Sequence, residues 1–366
     1  MATDEREHPA FRDLGPFSDW VGHAAARGGL FPSPDEPGPT GAEVRGLIGS
    51  ADDGEPLAPE RGRRWTRDGV AGEEVSWSVG YGPRTRAWLL RPADATGPLP
   101  GVVALHSHDG FTYYGKEKVA DGPEVAPAAA RALRERSYGG TAFANELARR
   151  GFAVLAHDVF RWGSRKFPPG LVGSADEPEA YNTAARAHEH AVAKYCTVLG
   201  TSLAGVVAYE DRVAVRYLRS RTDVVGGPIG CIGLSGGGCR AALLHATCDD
   251  VAAAGIVGMM TSYRELLDAH VARHTWMFFP PGLATRGDWP DIAAARAPVP
   301  LLVQYDRHDH LFTLRGMTEA HERLVTRYRQ AGAPESYVGE FYDGPHKFDR
   351  EMQASAFAHL ERWLRG

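Results

Sequence analysis

The sequence predicts an α/β protein, a mostly parallel central sheet with helices on both faces. Short apolar runs without alternation, at 101–105, 152–156, 229–232, 252–257 and 299–303, are separated by stretches of helical pattern. Strands that are apolar on both sides belong to sheets covered on both faces, which is the parallel arrangement. Ahead of them, Val75, Trp77 and Val79 alternate with polar residues. A turn at Tyr81-Gly-Pro-Arg84 and a return at Ala87-Trp-Leu-Leu90 follow, which is the pattern of a leading antiparallel β-hairpin.

The elements follow in order. Residues 1–72 show weak periodicity and much turn chemistry, as in Phe31-Pro-Ser-Pro-Asp-Glu-Pro-Gly-Pro39. They read as an N-terminal arm with short helices, packed over the main body or over a second copy of the chain, which would make a homodimer. Residues 73–366 read as one catalytic domain. After the 101–105 strand, Ala142 to Arg150 is helical and Gly151 ends it. The stretch from about Thr183 to Arg221 is a long helical region broken near Gly200, with Leu203, Val206, Val207, Ala214, Tyr217 and Leu218 on one face. Met317, Ala320, Leu324 and Tyr328 share a face of a later helix. Residues 337–342 form the last strand, and Phe357, Leu360 and Leu364 mark the closing helix. Residues 258–298 stand as an insertion between two strands, the usual place for a cap or lid.

Composition narrows the function. The chain has 366 residues, 43% hydrophobic and 24% charged, too apolar for a disordered protein. Its formal charge of −5 leaves no basic footprint for nucleic acid. No apolar run reaches the roughly 18 residues of a membrane span, and the acidic start, Met1 to His8, lacks the apolar core of a secretory signal. The expectation is a cytoplasmic protein. Cys196, Cys231, Cys239 and Cys248 contain no Cys-x-x-Cys pair, so they read as reduced, buried thiols and not as a zinc or redox site.

The most informative segment is Gly233-Leu-Ser235-Gly-Gly237, a G-x-S-x-G match. By itself it could be a Gly-rich turn with a capping serine. Here an apolar strand leads in and the helical Ala241-Ala-Leu-Leu244 leads out. A turn this tight crowds the backbone, demands small neighbours and raises the serine Oγ above the sheet. A serine at its free pKa is a weak nucleophile and needs a base and an orienting acid. Two loops at strand ends supply them. Leu301-Leu-Val-Gln-Tyr305 runs into Asp306-Arg-His-Asp309-His310, and the last strand runs into Gly344-Pro-His346. Asp309 and His346 are the candidates, with Asp306 a rival acid. His106-Ser-His-Asp109 resembles half of the metallo-hydrolase H-x-H-x-D-H, but Gly110-Phe111 replaces the second half, so no metal is expected.

From about residue 74 onward, the chain resembles the α/β-hydrolase superfamily, and within it the dienelactone hydrolase-like and acetyl-xylan-esterase-like bacterial serine esterases. The likeness rests on the elbow and the Ser-Asp-His order. It also rests on His106-Ser-His-Asp-Gly110, Gly115-Lys-Glu-Lys118, Asp158 with Gly163-Ser-Arg165, and Pro281-Gly-Leu with Asp288-Trp-Pro-Asp291. It implies Ser235 as nucleophile, His346 as base and later acid, and Asp309 as orienter. It implies oxyanion donors at the backbones of Gly236 and His108, although Ser107 stands where relatives carry a glycine. Phe111, Tyr113, Tyr114, Trp162, Trp276, Phe278 and Phe279 fall in rim segments and could line an acyl pocket or fill the cap interior. Arg161, Arg165 and Lys116 could bind a substrate carboxylate or form internal ion pairs.

The resulting expectation is a serine hydrolase that cleaves a small-molecule carboxylic ester or lactone through an acyl-enzyme, with no cofactor. The same triad can run acyl transfer, cyclisation or C–C bond hydrolysis. A non-catalytic ligand-binding member of the fold would be expected to lack a triad residue.

Overall fold

The computed structural model describes residues 11–50, 54–227, 229–268 and 270–365. The acidic start at Met1 to His8 lies outside them. Helices α1 (Asp19–Gly28) and α2 (Gly41–Ile48) precede strands β1 (Leu57–Arg67), β2 (Val70–Ser78), β3 (Thr85–Pro92) and β4 (Gly101–Leu105). Next come α3 (Ala128–Ser137), α4 (Phe143–Arg149), β5 (Ala153–His157), α5 (Pro169–Val172), α6 (Pro178–Val198) and α7 (Leu203–Arg219). Then follow β6 (Ile229–Leu234), α8 (Gly236–Thr247), β7 (Val251–Val257), α9 (Trp289–Ala293) and β8 (Leu301–Asp306). The chain closes with α10 (Leu314–Gln330), β9 (Tyr337–Tyr342) and α11 (Arg350–Leu364).

The strands form one sheet in the order β1-β2-β3-β5-β4-β6-β7-β8-β9. Pairings from β1 through β3 to β5 are antiparallel, and those from β5 to β9 are parallel. Each face carries its own core. In β4, Val103 and Leu105 pack with α7 and α8 on one side, while Val102 and Ala104 pack with α4 and α11 on the other. A strand divided this way must be apolar at every position, which is why 101–105 shows no alternation. The parallel register brings the C-terminal ends of β4, β6, β8 and β9 to one edge, with Leu105 beside Gly233 and Asp306 beside Tyr342. Such edges are where open α/β sheets place their sites.

The sheet begins earlier than the sequence suggests. The expected hairpin is the β2–β3 pair, with Val75 opposite Ala87, but β1 precedes it, so residues 57–72 belong to the sheet and not to an irregular arm. β1 is an exposed edge strand whose run Pro59-Glu-Arg-Gly-Arg-Arg64 has no buried face to write an alternation. Arginine and proline on an edge blunt pairing with other chains. The long helical region is broken as expected, at Gly200 (φ +73°), and α6 starts five residues before Thr183. Among the described residues no single helix is long and apolar enough to cross a membrane. Helices α6 and α7 pass that test only as a pair, bent by 85°.

Ahead of β1, residues 31–48 lie on the main body, beginning where the Phe31 N–H donates to the Ala284 carbonyl at 2.8 Å. Val44 and Ile48 of α2 are buried in the α7–α8 core, and Thr40 caps α2 through a reciprocal capping box with Glu43. Nearby, Asp291 accepts from Arg323 Nε (2.8 Å) and Arg327 Nε (2.7 Å). These two arginines also bond the carbonyls of Pro32 (2.7 Å), Pro34 (3.1 Å) and Glu36. Asp291→Ala would strand two largely buried guanidiniums. The expected cost is about 3–5 kcal/mol in urea denaturation, with faster amide hydrogen exchange confined at first to residues 31–48.

Candidate active site

Ser235 sits between β6 and α8 at φ +58°, ψ −123°, a conformation rare for any residue but glycine. Its neighbours explain how the chain sustains it. A Cβ on Gly233 would lie 2.5 Å from the carbonyl carbon of Gly237, and one on Gly237 would collide with the Leu105 carbonyl. One on Gly236 would lie 2.6 Å from the His108 nitrogen. Backbone from β4, β6 and α8 therefore meets here without side chains between. The Ser235 N–H donates to Val257 O at 2.8 Å and fastens the turn to β7. As the first residue of α8, Gly236 has an N–H without an intrahelical acceptor.

His346, on the loop after β9, is held by Asp309 on the loop after β8. Nδ1 lies 2.6 Å from Asp309 Oδ2. A carboxylate can only accept, so Nδ1 carries the proton and Nε2 is left basic. Nε2 is buried and has no hydrogen-bond partner among the described residues. The other Asp309 oxygen accepts the Leu311 N–H at 2.8 Å. Burial alone would push His346 down, but the Asp309 hydrogen bond and charge outweigh it and hold His346 above its ordinary value. Gly258 (φ +54°) lies under the imidazole, where a Cβ would come 3.0 Å from Cε1.

Asp306, the rival acid, is not hydrogen-bonded to His346. Its Oδ2 accepts the Lys347 N–H at 2.9 Å, its Oδ1 has no partner among the described residues, and burial pushes it up to about 7.

Ser235, Gly236, His108 and His346 line one cavity of about 670 Å³, between the sheet edge and the 258–298 segment. Ser235 Oγ and His346 Nε2 are not hydrogen-bonded to each other, although both residues line it. Ser107 needs no glycine, because the left-handed turn of its loop falls at Asp109 (φ +52°) and Gly110 (φ +60°). Its hydroxyl donates to Asp109. The His108 ring accepts the Gly110 N–H at Nδ1 (2.9 Å) and meets Glu189 Oε2 from Nε2 at 3.1 Å. Glu189 also accepts from Arg161 (2.9 Å), the Thr275 hydroxyl (2.5 Å) and the Trp276 N–H (2.9 Å). Burial would raise this carboxyl, but His108 and then Arg161 and Thr275 hold it well below the usual range.

Of the rim candidates, Trp276 lines the cavity and is 46% exposed. Phe111, Tyr114, Trp162, Arg165 and Phe279 are not among its lining residues. Trp162 is buried behind the His108 ring, edge-on at 5.3 Å. Phe111 and Tyr114 pack on each other, and Tyr114 borders a separate depression beside β2 and β3. Phe279 packs with Tyr263 and Phe278 within the 258–298 segment.

Arg165 is buried against Glu210, Arg161 against Glu189 and Lys116 against Asp158, so all three cations form internal ion pairs. The sequence reading missed Arg136, Arg186, His190, Arg273 and His274, which also line the cavity. They come from α3, α6 and the 258–298 segment, and no local motif marks them. Among the described residues, the metal-sized cluster of donors is Asp306, Asp309 and His346 itself. His106 lies outside it, buried and pushed well below its usual pKa by that burial.

This sheet order, with a strained serine after β6 and an acid and a histidine on later strand ends, is the α/β-hydrolase fold. Among solved structures the chain is similar to the "putative acetyl xylan esterase" of Bacteroides fragilis NCTC 9343. That match has a TM-score of 0.68 and 17% identity, over 90% of this chain and 82% of that one. It is also similar to a glucuronoyl esterase from Solibacter usitatus, with a TM-score of 0.62 and 15% identity, over 88% and 91% of the two chains. In sequence it is 25% identical over 319 residues to the Bacillus subtilis (strain 168) protein named "Putative hydrolase YtaP", covering 87% of this chain and 96% of that one. No family model matches.

Gly237→Ala would drive a methyl into the Leu105 carbonyl, an overpacking that costs about 1–3 kcal/mol or more. The expected result is a lowered Tm, read by thermal denaturation.

Proposed function

We infer that the protein is a serine hydrolase that cleaves a carboxylic ester or lactone of a small molecule through an acyl-enzyme. The observation that carries this is the pairing, on one cavity, of a serine held in a strained strand-to-helix turn with a histidine held and made basic by a buried carboxylate. The esterase names of the structural neighbours and the hydrolase name of the B. subtilis protein agree with it.

In this reading Ser235 Oγ attacks the carbonyl carbon while His346 Nε2 takes its proton. The oxyanion is met by the N–H groups of Gly236 and His108, and Asp309 steadies the imidazolium. His346 then gives the proton to the leaving alcohol oxygen. Water, deprotonated by the same nitrogen, attacks the acyl carbon and releases the acid and free Ser235. Trp276 would form an apolar wall for the acyl or alcohol part. A cytoplasmic setting fits four free, buried thiols.

A fluorophosphonate probe should add one adduct to the intact protein and none to Ser235→Ala. An unlabelled wild type that is folded would remove the serine mechanism. Asp309→Asn should lower kcat by about 10⁴-fold, whereas Asp306→Asn, which keeps an acceptor for the Lys347 N–H, should change it less than about tenfold. His346 must be neutral to accept the serine proton, and its pKa is raised. The acid limb of kcat/KM should therefore lie above the ordinary histidine value of about 6.5. Activity should rise with pH through that limb, and the limb should move down in Asp309→Asn.

A further inference from the structure

Lys118 has no part in the mechanism above, yet it is fully buried, with 0% of its surface exposed. Its ammonium donates to the carbonyl of Ser107 at 2.7 Å and to that of His108 at 3.1 Å. The nearest carboxylate oxygen, on Asp109, stands off at 3.8 Å, and the Phe111 ring lies 5.3 Å away. Burying a lysine without a directly bonded carboxylate is costly, and such a site wants a reason. Burial pushes it down to about 8, opposed chiefly by Asp109, so the ammonium form prevails at neutral pH.

The Ser107 carbonyl and the His108 N–H are the two ends of one peptide group. In a trans peptide they point in opposite directions. An ammonium bound at the oxygen therefore sends the N–H the other way. The His108 nitrogen lies against Gly236, the residue after the serine, and His108 lines the same cavity as Ser235. A cation on the oxygen also draws electron density out of the amide and makes its N–H a stronger donor.

We propose that Lys118 is a positioning residue for the oxyanion site, holding the Ser107–His108 peptide with its N–H toward the cavity and polarising it by its charge. This rests on the reading of Ser235 as nucleophile. The backbone donor itself would survive loss of the lysine, so the effect should be smaller than deleting a donor outright, which costs about 10²–10³ in kcat.

The test is Lys118→Met, which keeps the length and removes the charge. The expected result is a kcat about 10- to 100-fold lower, an unchanged KM, and a matching loss of affinity for an alkyl boronic acid, whose tetrahedral serine adduct places an oxygen where the oxyanion forms. A lysine that only staples the loop would lower Tm and leave kcat and boronate affinity in place, and that outcome overturns the proposal. Should Lys118→Met not fold, the wild type carries the measurement by ¹⁵N NMR. The Lys118 Nζ and His108 amide signals should shift together when the boronate binds, and an unmoved Nζ signal overturns the proposal. Folded wild type that neither hydrolyses esters nor binds the boronate would instead overturn the serine-hydrolase reading beneath it. An active wild type with an indifferent Lys118→Met overturns only the role of the lysine.

Discussion

The site depends on three backbone segments meeting with nothing between them. The end of β4 at Leu105, the end of β6 at Gly233 and the start of α8 at Gly237 approach so closely that a single added methyl at either glycine would strike backbone. Backbone cannot swing aside as a side chain can, so glycine is the residue that fits. This contact holds Ser235 at positive φ and sets Gly236 against His108. The strain at the serine is sustained because β6 and α8 are buried along their whole lengths and have nowhere to relax.

Around that contact the protein places its polar groups in water-poor surroundings, each tied by more than one bond. Glu189, from α6, gathers His108 of the loop after β4, Arg161 of the loop after β5, and Thr275 and Trp276 of the 258–298 segment. One carboxylate thus fixes the rim of the cavity to the loop that would hold the oxyanion. Beneath α8, Arg240 pairs with Asp211, which also bonds His157. Buried charges of this kind are weak evidence of net stability, since desolvation offsets attraction. What they supply is a single arrangement, because any other leaves a charge unpaired.

Asp309 and Asp306 show how environment divides similar residues. Asp309 has both oxygens occupied, by the His346 ring and the Leu311 N–H. Asp306 keeps one oxygen without a partner among the described residues, and its burial raises it to about 7. Of the two, Asp309 is the one hydrogen-bonded to His346.

Much of this was legible in the sequence, where local chemistry decides. The glycines flanking Ser235, the non-alternating strands and the loops bearing Asp309 and His346 each carry their own signature, because turn geometry and two-sided burial dictate residue types on the spot. β1 was invisible because an exposed edge strand has no buried face to write a pattern. The roles of Arg161, Arg165 and Lys116 were undecided, since a cation reads the same beside a ligand or an internal carboxylate, and the fold supplied Glu189, Glu210 and Asp158 from distant segments. The preference of His346 for Asp309 over Asp306, the cavity wall drawn from α3, α6 and the 258–298 segment, and the burial of Lys118 under the Ser107–His108 peptide likewise depend on which segments meet. Contacts between residues far apart in the chain leave no periodicity in it, so only the tertiary structure could decide them.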